Sequence, residues 1–385
     1  MKIHQMPLEI KWEILKYLVL NDALEFCNAI CINAVSAYQY HNFDAQDFST
    51  LNSPVHFNAL RKNKRFLNQL NSEIIIYDHV CRFGYINVLK EILLIYNPSV
   101  GDNIPIFVAA ENGQLEILKE LLLDSRVDPS AKSNRAFRAA CAHGHLAVVL
   151  ELLKDSRVDP SDVDNSAIQS SCEKGFVQIF QELLKDARVD PSDSDNMPIK
   201  LCCEFGHLTI LKELIKDSRV DPAVDDNLPF QLACKNGHLE ICKELLLDSR
   251  VDPSSNENDA LLAACENDEI EIVELLLLDS RVDPSSQDNL AVQIAAEFGN
   301  LEVLKRLLQD SRVDPSDDDN EAVKLACKNG HLEILKELLN DPRVDPSADN
   351  NYALDRSIRY GYKKIRDFLL LDDRVVSLVN TKNVA

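Results

Sequence analysis

From about residue 71 onward, apolar positions fall into two alternating blocks. Residues 320–339 read N-E-A-V-K-L-A-C-K-N-G-H-L-E-I-L-K-E-L-L. In the first block Ala322, Val323, Leu325, Ala326 and Cys327 gather small apolar groups on one face. In the second, Leu332, Ile334, Leu335, Leu338 and Leu339 line one side, with Glu333, Lys336 and Glu337 opposite. Recurrence at three and four residues predicts two short amphipathic helices. Gly330 between them suits the left-handed turn that ends a helix. Asn320 stands where the first helix needs a cap for its free amides. Pro105, Pro198 and Pro229 follow the corresponding asparagine elsewhere, and proline is tolerated in a first helical turn. After the second helix comes Val-Asp-Pro, whose aspartate can bond forward while proline fixes the next φ. This predicts a stiff, extended connector.

The unit recurs every 31 residues. Its prolines are Pro129, Pro160, Pro191, Pro222, Pro253, Pro284, Pro315 and Pro346, and an asparagine keeps the same interval from Asn103 to Asn351. The inter-helix glycine does so from Gly113 to Gly361, interrupted once by Asp268, a residue type that tolerates left-handed backbone. A period of this size signals a solenoid of helical units. Such folds present long surfaces and point to a macromolecular partner rather than a catalytic pocket.

The first-helix, glycine and second-helix residues resemble the ankyrin repeat. Gly-His-Leu-Glu stands intact at Gly237–Glu240 and Gly330–Glu333. The unit is two residues shorter than the usual 33, the Thr-Pro-Leu-His signature is lost, and the connector lacks Gly-Ala-Asp. The expected fold is all-α: an ankyrin-type helix-turn-helix solenoid of about ten repeats over residues 71–381. Arg356 and Ser357 replace Leu325 and Ala326 of the model repeat, which suits a terminal repeat with a wettable outer face.

No repeat runs through the N-terminus. Pro7 opens a helix with Ile10, Ile14, Leu15 and Leu18 at helical spacing, and Asn21-Asp22 restarts a second one through Leu24 and Phe26. Residues 5–45 resemble an F-box, without the family's later tryptophan and basic residues. The resemblance implies docking to a Skp-type adaptor of a cullin ubiquitin ligase through Pro7, Leu8, Ile10, Ile14, Leu15 and Leu18. The alternative is an ordinary helical cap over the first repeat. Residues 46–70 read as a linker or degenerate capping helix, with a basic stretch at Arg61–Arg65.

The 385-residue chain carries a formal net charge of -22. Its first seventy residues are nearly neutral, so the acid lies in the array. That argues against nonspecific nucleic-acid binding and suits a basic protein partner, as well as simple solubility. Cys141, Cys172, Cys203, Cys234, Cys265 and Cys327 share one repeat position with Ala110 and Ala296. They read as small buried hydrophobes. Reduced thiols imply a cytoplasmic or nuclear compartment. No apolar run has membrane-spanning length, and the first residues lack a signal-peptide core.

No phosphate loop, nucleophile elbow or metalloprotease motif is present, so no catalytic residue, metal or cofactor is expected. His145, His207, His238 and His331 read as structural. The recurrent arginines are expected to pair with connector aspartates of the neighbouring unit. In ankyrin repeats the two residues before the inter-helix glycine face the concave side. By that resemblance His143, Phe205, Phe298 and Tyr360 are candidate target contacts. Asp317, Asp318 and Asp319 would make the connector edge negative. The expected molecule is a monomeric, non-catalytic protein-interaction adaptor, or a scaffold if the N-terminal helices are only a cap.

Overall fold

The computed structural model describes residues 73–382. The residues expected to dock an adaptor, Pro7, Leu8, Ile10, Ile14, Leu15 and Leu18, and the segment 46–70, lie outside the described residues. Among the described residues there are 21 helices and no strand. The chain divides into two compact units between Val163 and Asp164.

The first unit contains α1 (Glu73–Phe83), α2 (Ile86–Leu93), α3 (Val100–Glu111), α4 (Leu115–Leu122), α5 (Ala131–Ala142) and α6 (Leu146–Leu152). Helix α7 (Asp162–Lys174) starts at the division. The second unit continues with α8 (Val177–Leu183), α9 (Asp193–Phe205), α10 (Leu208–Leu214), α11 (Val224–Lys235), α12 (Leu239–Leu245), α13 (Ser255–Glu266) and α14 (Ile270–Leu277). It ends with α15 (Ser286–Phe298), α16 (Leu301–Leu307), α17 (Asp317–Asn329), α18 (Leu332–Leu338), α19 (Ala348–Arg359), α20 (Lys363–Leu369) and α21 (Asp373–Lys382).

Within each unit, first helices of successive pairs pack on one another, and second helices do likewise. The first helices meet through small groups: Ala264, Cys265, Ala295, Ala296, Ala326 and Cys327 are completely buried. A larger side chain there would push neighbouring helices apart. The second helices bury Leu and Ile, as Ile334, Leu335 and Leu338 do in α18. Each such side chain is worth about 1.5–3 kcal/mol. Gly330 closes α17 with φ 86°, as expected of a left-handed cap. Pro105, Pro198 and Pro229 are buried just inside the right-handed helix.

The entry into the first helix departs from a simple cap. Asp318, Asp319 and Asn320 all have left-handed backbone, with φ 49°, 51° and 62°. The same three-residue run falls in the first turn of α5, α9, α11, α13, α15 and α19, always ending in asparagine. A side chain ordinarily resists this conformation by about 1–2 kcal/mol, and Asn and Asp resist it least. That is one local reason for the abundance of Asp and Asn here. Val163, at φ 54°, is the β-branched exception.

The asparagine does not cap its own helix. Its side-chain oxygen accepts the backbone N–H of the connector aspartate 25 residues later, where the chain leads into the next repeat. Asn289 accepts from Asp314 at 2.8 Å and Asn320 from Asp345 at 2.7 Å. Its amide donates onward to the residue just before the next left-handed run: Asn134 to Asp162 at 2.7 Å, Asn165 to Asp193 at 2.6 Å, and Asn289 to Asp317 at 2.8 Å. These asparagines are buried, so each stacked repeat depends on a matched amide. The connector aspartate behaves as expected: Asp314 Oδ1 accepts both the amide and the hydroxyl of Ser316.

The arginines correct a second expectation. Arg312 makes a bidentate pair with Asp310, two residues earlier in its own repeat, not with a neighbour's connector. Its remaining arm donates to the carbonyl of Val282, one repeat back. Arg157, Arg250, Arg281 and Arg374 repeat the arrangement. Arg219 and Arg343 also come near a preceding connector aspartate, at 3.9 and 3.7 Å. The guanidinium holds the Asp310 carboxyl down to about 2.

The histidines are structural, as read. His145, His207, His238 and His331 each place Nε2 3.0 Å from a main-chain carbonyl at the end of the preceding first helix. Gln114 and Asn300 do the same job with amides. Glu269 takes this place before α14, where an ionised carboxylate cannot donate. It lies against Gly237, and a Cβ there would come within 2.5 Å of its carboxylate oxygen. Burial, then Glu271, then Asp268 push its carboxyl up, while His238 pulls the other way.

Candidate protein-binding surface

The residue just before the inter-helix glycine ends the first helix, where carbonyl groups lack partners. In several repeats a polar side chain at this position serves its own helix. Asn112 donates to Val108 O, Asn236 to Leu232 O and Asn267 to Ala263 O, at 2.8–2.9 Å. His143 does the same, with Nδ1 2.9 Å from Ala139 O, and its ring lies beside His145. His143 thus has a local duty as well as an exposed edge.

Phenylalanine cannot perform that duty. Phe205 and Phe298 nevertheless end α9 and α15, and they are 47% and 50% exposed. Tyr360, the cap of α19, is 50% exposed. Phe83 was passed over in the sequence, although it has the same place before Gly84. It is partly exposed and stacks on Tyr85. The shared register before the glycine was the available signal.

The acidic candidates divide by role. Asp317 accepts the amide of Asn289 and its neighbour's N–H, so it helps build the repeat junction. Asp317, Asp318 and Asp319 are all exposed. Elsewhere Asp225 is matched by the nearly buried Lys200 and Asp102 by Lys132, which leaves the acid unevenly available.

Burial drives the Cys327 thiol up to about 12 and raises Cys141, Cys234 and Cys265 as well, so they stay protonated and unreactive. Among the described residues no three His, Cys, Asp or Glu side chains converge as metal ligands, and no helix is long and apolar enough to cross a membrane.

Paired helices stacked pair upon pair, joined by hydrogen-bonded connectors, with aromatic groups left on a repeated exposed position, define a helical-repeat interaction protein. The model for ankyrin repeats (3 copies) matches residues 78–164, 137–226, 199–288 and 292–380. The chain belongs to the ankyrin-repeat family, and its repeats are protein–protein interaction modules. No curated protein sequence matches it.

Proposed function

We propose that the array holds a protein target against the helix-end positions of Phe205, Phe298 and Tyr360, with Asp318 and Asp319 favouring a basic partner. The observation that carries this is the half-exposure of two phenylalanines where sister repeats use a side chain bonded to its own helix. Exposed aromatics in a groove are the residues from which binding energy is concentrated. Asp317 belongs to the rim of the same surface, and His143 holds the corresponding helix-end position in the first unit. Once a target is captured by crosslinking, Phe205→Ala and Phe298→Ala should each speed dissociation by about tenfold or more. Asp318→Asn with Asp319→Asn should instead slow association and flatten its salt dependence. Unchanged dissociation in both aromatic variants would place the surface elsewhere.

The N-terminal segment makes the target's fate part of the proposal. Pro7, Leu8, Ile10, Ile14, Leu15 and Leu18 follow the F-box pattern, so the chain would bring its target to a Skp-type adaptor and a cullin ubiquitin ligase. It would do so without chemistry of its own. Co-purification of the adaptor, lost in Ile14→Asp with Leu18→Asp, is the expected result. Absence of the adaptor from the wild-type complex would leave a scaffold or sequestering protein.

A further inference from the structure

The last repeat reverses the charge of the chain. Residues 350–385 hold seven Lys/Arg and four Asp/Glu, a net of +3 within a protein of net -22. The reversal comes from departures at repeat positions. Arg356 stands for Leu325, Tyr360 for Asn329, Lys363 for Leu332 and Lys364 for Glu333. A terminal repeat needs a wettable face, but solubility in an acidic chain is met equally well by Glu. The sign of the charge therefore needs its own reason.

These groups lie together. Tyr352, Arg356 and Tyr360 are spaced four apart at one side of α19, and Arg356 stacks on the Tyr352 ring at 4.3 Å. Tyr360 neighbours Tyr362 at 6.3 Å. Arg359, Lys363 and Lys364 are exposed around the turn into α20. Most arginines in the array are held by an aspartate two residues away, as Arg312 is by Asp310. Among the described residues none of Arg356, Arg359, Lys363 or Lys364 has a carboxylate in ion-pair range. Lys363 and Lys364 also open a helix, where the dipole disfavours positive charge. Ile358 is 57% exposed, although the same position is buried as Cys327 and Ala296 in earlier repeats.

We infer that the turn between α19 and α20 is a second docking surface, and that it takes a short acidic protein segment bearing an aromatic or aliphatic anchor. The unpaired cations supply attraction and orientation, and Ile358 and Tyr360 supply apolar contact. Length is limited by the neighbours. A long polyanion such as nucleic acid would run from this turn onto the acidic remainder of the array. A short peptide stays within the roughly 10 Å over which the local charge is felt. This surface is opposite in sign to that of the proposed function and shares only Tyr360 with it, a residue the charge reversal below leaves unchanged.

The test is selection from a random twelve-residue phage-displayed peptide library on the immobilised full chain, with Arg359→Glu, Lys363→Glu, Lys364→Glu as counter-screen. Enriched peptides should be acidic with at least one apolar anchor and should be lost on the triple variant. Synthetic copies should bind the triple variant about tenfold or more weakly and lose a similar factor between low and physiological salt. An unchanged thermal unfolding profile shows that the variant folds, and Arg359→Ala with Lys363→Ala gives a milder confirmation if it does not. No enrichment, or acidic peptides retained by the folded variant, overturns the inference. So does a single-stranded oligonucleotide that competes for this turn as well as the selected peptides. Basic peptides that instead depend on Asp318 and Asp319 would bear on the other surface alone.

Discussion

Asn289 offers the sharpest test of how the repeats hold together. Replacing it with alanine removes two hydrogen bonds, one from the Asp314 N–H and one to Asp317. Each is worth about 0.5–1.5 kcal/mol net, and a donor left buried adds about 1–3 kcal/mol. Alanine must also adopt the φ of 58° that Asn289 holds, at about 1 kcal/mol beyond asparagine. These terms overlap, because local relaxation lets water reach part of the gap, so Asn289→Ala should cost about 3 kcal/mol. Asn289→Gly removes the same hydrogen bonds without the left-handed strain and should be less damaging by about 1 kcal/mol. Asn289→Asp keeps the acceptor for Asp314 but sets a carboxylate against Asp317, so it should fail at that second contact. Urea unfolding gives the energies, and hydrogen exchange at the Asp314 amide reports the site directly. Protection of that amide should fall in Ala and Gly and largely persist in Asp. A loss below about 0.5 kcal/mol for Ala, with the Asp314 amide still protected, would refute the inter-repeat role.

Three further outcomes follow from the packing and the charges. Cys234 is completely buried, with its sulfur 3.6 Å from that of Cys242; Cys234→Ala should be mild, while Cys234→Leu should cost about 1–3 kcal/mol by overpacking, and equal urea midpoints would contradict close approach of the first helices. Glu269→Gln should stabilise by about 1 kcal/mol at neutral pH, since it supplies the donor found in sister repeats. The raised carboxyl of Glu269 makes the native state most favourable below the unfolded value of about 4.3 and progressively less so as pH rises through the folded value; the advantage of Gln must therefore grow with pH, and a pH-independent difference would count against the assignment. Asp310 has the opposite sign: held near 2 by Arg312, it favours the fold above about pH 4, and that contribution disappears as pH falls toward 2. Solvent screening limits the pair to about 0.5 kcal/mol, so Arg312→Gln should flatten the acid limb of the urea midpoint only slightly; a large flattening would refute that limit, whereas a loss equal at every pH would report the Val282 carbonyl contact.

The helix pairs were legible in the sequence because their causes are local. Alternating apolar blocks, Gly330 at a left-handed turn and Cys327 exchanging with Ala296 are features of consecutive residues or of one repeated position, and each specifies a conformation or a size without reference to a partner. Internal repetition served where a single example would have been ambiguous. Phe205 and Phe298 were found by register for the same reason, while the half-exposure that makes them candidates emerged only when their neighbours were packed.

Only tertiary structure assigned the asparagine and the arginine. Asn289 reads as a helix cap because capping is what asparagine does locally. Its actual partners, Asp314 and Asp317, are 25 and 28 residues away and become reachable only when one repeat stacks on the next. Arg312 likewise reaches Val282 O across the stack, while its carboxylate partner is two residues off in its own turn. A buried amide, or a guanidinium lying across a repeat junction, takes whichever groups stacking brings within about 3 Å. Periodicity shows that such a residue is required in every unit; the geometry of stacking decides which atom it must meet.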